Sequence, residues 1–117
     1  MADKITILLK EPGKPAEAIR IPDTLKAFQG VVGGYIECVH PFSQRNMVLV
    51  VNEEGMLEGL PAQYIRTVAD EDLYQRFYGT IFLCAEDEKD PTSFRGLTEE
   101  EIIRHRPLMD LEMEWAR

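Results

Sequence analysis

Cys38 and His40 stand two residues apart in an alternating run from Tyr35 to His40. A period of two puts both side chains on one face of a strand. A thiol beside an imidazole there could serve as a nucleophile with its base, or as half of a metal site. A metal site needs further ligands, and only Cys84 and His105 remain of those two residue types. Neither a Cys-x-x-Cys pair, nor a Gly-x-Ser-x-Gly elbow, nor a glycine-rich phosphate loop accompanies them. The plainer reading is a packed cysteine and a strand-end histidine. No catalytic residue, metal or cofactor is expected.

A second set of residues is polar. Tyr35 and Glu37 share a strand face, Arg20 lies in the hairpin before them, and Asn52, Glu53 and Glu54 sit at a strand end. Together these six could hold a small ligand or meet a partner, or they could simply be a solvated sheet face. Short acidic runs recur at Glu53-Glu54, Asp70-Glu71-Asp72, Glu86-Asp87-Glu88 and Glu99 to Glu101. None has the spacing of an EF-hand. They read as turns and helix starts on a solvated surface; the sharper alternative is a negative track that imitates nucleic acid. The chain carries 21 acidic against 13 basic residues, a formal net charge of −8. That argues against direct nucleic-acid binding, which needs cations to displace counterions. A basic protein partner is compatible with it.

These residues must be positioned by few elements, because 117 residues make one domain. Lys4 to Lys10 and Glu17 to Ile21 predict two strands of a hairpin around Glu11-Pro12-Gly13-Lys14-Pro15. In the second, Ala18 and Arg20 face one way, Ile19 and Ile21 the other. Asp23 or Thr24 caps a helix over 24–32, with Leu25, Phe28 and Val32 on its apolar face. Gly33-Gly34 stops it. Strands follow at 35–40 and 47–51, the second apolar throughout and so central. Asn52 to Gly55 is a turn, and Met56 to Leu60 is expected to pair back as a short strand closed by Pro61. Residues 62–77 are irregularly spaced and predict a partly helical excursion; 78–84 is a strand.

Thr98-Glu99-Glu100-Glu101 is a capping box, with Leu97 and Ile102 placed as a hydrophobic staple. Pro107 is expected to end this helix near Arg106. Leu108, Leu111 and Trp115 predict a further short helix, buried together against the domain or a second copy. The expected fold is therefore α+β: a mostly antiparallel sheet of four to five strands with two or three short helices. Helices 24–32 and 98–105 should cover one face. A single domain over 1–106 carries a helical tail over 107–117. With no apolar run near the roughly 20 residues that span a bilayer, no secretory leader and two cysteines, a soluble cytoplasmic monomer or homodimer is expected.

Four segments carry a resemblance. They are Val31-Val32-Gly33-Gly34-Tyr35-Ile36-Glu37, then Val51-Asn52-Glu53-Glu54-Gly55-Met56-Leu57-Glu58-Gly59-Leu60-Pro61, then Tyr78-Gly79-Thr80-Ile81-Phe82, then Phe94 to Glu100. In this order they resemble the bacterial and phage family called domain of unknown function 3846, over residues 3–104. The resemblance implies small proteins of Gram-positive bacteria, their phages and mobile elements, and implies no activity. Residues 62–77 and the tail after Pro107 depart from its pattern. The function expected is a non-catalytic protein-binding module. The alternative is a small-ligand or enzymatic module with a polar pocket near Tyr35, Glu37 and Asn52.

Overall fold

The computed structural model describes residues 3–44, 46–67, 74–90 and 92–110. β1 (Lys4–Lys10) and β2 (Glu17–Pro22) form the first hairpin, with Ile5 opposite Ile21 and Ile7 opposite Ile19. α1 (Leu25–Val32) begins where the Thr24 hydroxyl accepts from the Ala27 amide at 3.1 Å. It ends at Gly33, whose φ of 82° is the left-handed conformation that closes a helix. β3 (Ile36–Val39) and β4 (Met47–Asn52) pair antiparallel. β5 (Ala62–Arg66) and β6 (Tyr74–Tyr78) form a separate two-stranded sheet. β7 (Ile81–Glu86), β8 (Phe94–Arg95) and α2 (Glu99–Met109) complete the described chain.

The main sheet runs β2-β1-β7-β4-β3, with β8 also paired to β7. All its pairings are antiparallel. The fold class is thus the expected α+β, with a larger sheet and an additional small one. β4 is buried along its whole length, and β7 from Ile81 to Ala85. Both faces of these strands therefore require cover. Val48, Val50 and Phe82 meet Phe28 and Val32 of α1 on one face. The Phe28 ring lies 5.6 Å from that of Phe82 and 5.3 Å from that of Phe94. Leu49, Val51 and Leu83 meet Ile65 of β5 and Met109 of α2 on the other.

Five expectations are corrected here. The two helices lie on opposite faces, because one short helix cannot cover a central strand that is apolar on both sides. Residues 56–60 form turns rather than a strand, and Met56 and Leu57 point into solvent. Residues 62–66 and 74–78 are strands, not a helical excursion, since Gln63 and Ile65 alternate inward beneath Tyr64 and Arg66. Tyr78 ends β6, and the next strand starts at Ile81 rather than 78. Finally, α2 continues through Pro107 to Met109. A proline in the last turn forfeits one backbone hydrogen bond, and the full burial of Met109 offsets that loss. Leu108 packs partly buried beside Met109; Leu111 and Trp115 lie outside the described residues.

The capping box of α2 is present as expected. The Thr98 amide donates to Glu101 Oε1 at 2.9 Å, and the Glu101 amide donates to the Thr98 hydroxyl at 3.2 Å. Leu97 is buried and Ile102 packs against the same cluster, completing the staple. Arg95 adds a two-pronged bond to the Glu101 carboxylate at 2.8 and 2.9 Å, tying β8 to the helix start. The Arg95 guanidinium, with the Thr98 amide, holds the Glu101 carboxyl down to about 2. Further along α2, burial lowers the pKa of His105, whose ring meets Phe42 edge-on at 5.2 Å.

Both shifts act in one direction. The unfolded chain binds these protons more readily, so the stabilisation is complete above each group's ordinary pKa and is lost on acidification. Glu101→Gln should cost about 1–2 kcal/mol at neutral pH. The gap from the parent should narrow as pH falls through 4.5 toward 2. His105→Leu should flatten the loss of stability that sets in below pH 6.5. Urea denaturation across that pH range checks both; a gap for Glu101→Gln that does not change with pH would contradict the first.

Candidate functional site

Asn52 is the last residue of β4 and sits opposite Ile36, on the face that α1 covers. That position brings its buried amide under the end of α1. Its Nδ2 donates to the Val32 carbonyl at 3.2 Å and to Glu58 Oε1 at 2.8 Å, while its Oδ1 accepts from the Glu54 amide at 2.8 Å. Three bonds thus tie the helix end, the strand end and both limbs of the following loop together. The loop closes on itself through Glu58 N to Glu54 O at 2.9 Å and Leu60 N to Gly55 O at 3.1 Å. It is pressed against β6: a Cβ on Gly55 would lie 2.7 Å from the Tyr78 carbonyl oxygen, so no larger residue fits.

Beside this amide lies a cavity of about 280 Å3 lined by Gln29, Gly34, Tyr35, Asn52, Glu54 and Glu58. The structure therefore brings Tyr35, Asn52 and Glu54 together and leaves the other three predicted residues outside. Glu53 is exposed; its amide donates to the Tyr35 carbonyl at 2.9 Å. Glu37 is exposed and paired with Val51, on the opposite face of the sheet. Arg20 is exposed on β2, across the whole sheet from β3. Four interstrand spacings of about 4.8 Å put the two edge strands on the order of 19 Å apart. No small ligand reaches both.

What the loop offers to solvent is apolar. Met56 is 65% exposed, Leu57 82% and Tyr35 70%. Glu53, Glu54 and Glu58 flank them. Sequence reasoning placed Met56 and Leu57 in a strand and so missed them; the signal lay in the glycines on either side, Gly55 and Gly59, which favour a loop.

Cys38 is exposed on the edge strand β3, and His40 Nε2 lies within hydrogen-bonding distance of Glu86 Oε1. A reactive thiolate needs a cation or a helix N-terminus beside it. Cys38 has the reverse: partial burial and the Glu86 and Glu37 carboxylates push its thiol up. Burial pushes Cys84 up further. Among the described residues no group of three or more His, Cys, Asp or Glu gathers to hold a metal ion. No helix among them is long and apolar enough to cross a membrane.

The loop from Asn52 to Pro61, the Gly33-Gly34 helix end and the Tyr78-Gly79 turn meet at one end of the sheet. They are also three of the four segments that carry the family resemblance. The family model described as Domain of unknown function (DUF3846) matches residues 5–108. The chain belongs to that family. The match spans β5 and β6 and runs into α2, ending one residue before Met109. No curated protein and no solved structure matches the chain.

The Asn52 amide is fully used inside the protein, which makes its substitution a test of the loop's rigidity. Asn52→Asp keeps the acceptor for Glu54 but loses both donations and sets a carboxylate against Glu58. It should lower stability by about 2–3 kcal/mol. The midpoint of urea unfolding measures this; a loss under about 0.5 kcal/mol would mean that the three bonds do not hold the loop.

Proposed function

We propose that the chain is a non-catalytic protein-binding module that docks through the loop from Glu53 to Leu60 and the adjoining Tyr35. The observation that carries this reading is the rigid display of Met56 and Leu57. Large apolar side chains left in water forfeit the gain of burial, about 1.5–3 kcal/mol for each. Here the backbone beneath them is held by Asn52 and closed by its own hydrogen bonds. A loop ordered before binding spends little further entropy when a partner covers it.

The charge names the partner's chemistry. Glu53, Glu54 and Glu58 surround the apolar centre, in a chain of net charge −8. A partner segment that carries lysines or arginines around an apolar side chain fits that pattern, and its encounter is steered by the field. The small-ligand reading keeps Tyr35 and the cavity beside it. It loses Glu37 to the other face, and Asn52 to bonds already made.

Affinity capture from the native host tests the proposal, with the parent chain and a Met56→Ser, Leu57→Asp double variant compared at low and moderate salt. A partner held by the parent should be lost by the variant, with affinity weakened by about 10- to 100-fold once the partner is purified. The variant should melt as the parent does, because both side chains are exposed. Recovery of no specific partner at either salt, or equal retention by both chains, would remove the proposal.

A further inference from the structure

β3 is an edge of the main sheet, and its register shows which backbone groups face outward. The Glu53 amide donates to the Tyr35 carbonyl at 2.9 Å, so these two residues form a bonded pair. Bonded pairs alternate along an antiparallel ladder, which makes Glu37 with Val51 and Val39 with Leu49 bonded too. The N–H and C=O groups of Ile36 and Cys38 therefore point away from β4. Among the described residues nothing bonds to these four groups. They lie two residues apart, as the bonding groups that meet a further antiparallel strand do.

The two faces of this edge differ. Ile36 packs partly buried with the cluster beneath α1, and it lines a cavity of about 380 Å3 with Leu25 and Phe28. Leu25 is itself 57% exposed. Glu37 points to the other face, is exposed, and pairs with no lysine or arginine among the described residues. In an added antiparallel strand, the residues opposite Ile36 and Cys38 would exchange backbone bonds with them and face the α1 side. The residue between would stand opposite Glu37 in the closer kind of pair, with Cα atoms about 4.5 Å apart. An apolar–cationic–apolar triplet satisfies all three positions.

We infer that β3 takes an added strand: an extended basic segment of a partner protein, with a lysine or arginine opposite Glu37 and apolar residues opposite Ile36 and Cys38. In such pairing the main-chain bonds supply affinity and the alternate side chains select the sequence. Charge decides the occupant. Two copies of β3 centred on one another would set Glu37 against Glu37, between chains that each carry −8. The other edge, β2, carries the exposed Arg20 and ends on Pro22, which has no N–H, so a cationic segment favours β3. The edge is distinct from the Met56–Leu57 loop, and the inference does not depend on docking there.

The test uses the full chain and three fluorescent blocked peptides: one alternating valine and lysine, its valine–glutamate counterpart, and the valine–lysine peptide with its valine amides N-methylated. Anisotropy should show the first bound, more weakly as salt rises, and the other two unbound. Hydrogen exchange followed by NMR should show the Ile36 and Cys38 amides exchanging fast in the free chain and protected in the complex. Those of Glu37 and Val39 should be protected in both. Cys38→Pro removes an outward N–H that β4 does not use, so it should melt close to the parent and weaken the peptide about tenfold or more. Glu37 is exposed, so Glu37→Lys should also keep the melt and weaken the peptide about tenfold. Met56→Ser with Leu57→Asp should bind the peptide as the parent does. The inference is overturned if the valine–lysine peptide does not bind, if either control binds equally, if the Ile36 and Cys38 exchange does not slow, or if Glu37→Lys changes nothing. Loss of binding in the loop double variant would move the peptide to the loop and overturn it too. Assembly of the free chain, seen by light scattering and dissolved by Cys38→Pro, would assign the edge to a second copy instead.

Discussion

β4 and β7 lie side by side with almost no residue open to water, and the rest of the molecule follows from the need to cover them twice. One face takes α1, the other takes the β5–β6 hairpin and α2. The same constraint reaches the candidate site. Because α1 must lie over the end of β4, its terminal Val32 carbonyl arrives beside Asn52, the one polar residue of that strand. The loop after β4 is therefore anchored to the core by a side chain whose position is set by core packing. Its apolar tip stays outside while its backbone does not wander.

The Asn52 loop and the β5–β6 hairpin differ in how they are built. The Asn52 loop is rigid through backbone and amide bonds, with side chains that make few demands on one another. On the hairpin the order comes from side chains, with Arg66 over the Tyr74 ring and Arg76 over the Tyr64 ring. Cys38, His40 and Glu86 form a third cluster, and there the chemistry runs the wrong way for a nucleophile. Carboxylates flank the thiol, and His40 is engaged with one of them.

The elements that could be read from sequence were those whose signals are local. Thr24 and Gly33 bracket α1, the capping box starts α2, and an unbroken apolar run makes β4. The hairpin was illegible because its polarity is inverted. Its inner face includes the buried Thr67 and Gln63, whose Nε2 donates to the Lys10 and Gly79 carbonyls, and its outer face is rich in tyrosine. Apolar periodicity then points nowhere. Lys10 is a smaller case: a lysine at a strand end reads as solvated, yet it is fully buried, its ammonium donating to the Glu11 carbonyl at 3.0 Å. The candidate site was half legible. Tyr35, Asn52 and Glu54 meet because a strand pair and its turn are neighbours in the chain. Arg20 does not join them, because β7, from the far half of the sequence, inserts between β1 and β4 and carries the first hairpin away. No local pattern announces an insertion of that kind, nor which face of a sheet a helix will take.

That insertion also sets the order of events during synthesis. β1 and β4 are made long before β7, and each has a strand edge that only β7 fills. While residues 81–86 are still in the ribosome, the two early hairpins can form but cannot join. Their open edges are then templates for pairing with the wrong chain. The bond from the Ala16 amide to the Asp110 carboxylate spans 94 residues and must wait longer still, until α2 is complete. A topology this non-local folds slowly for its size, and the nascent chain depends on completing α2 before its first hairpin finds another partner.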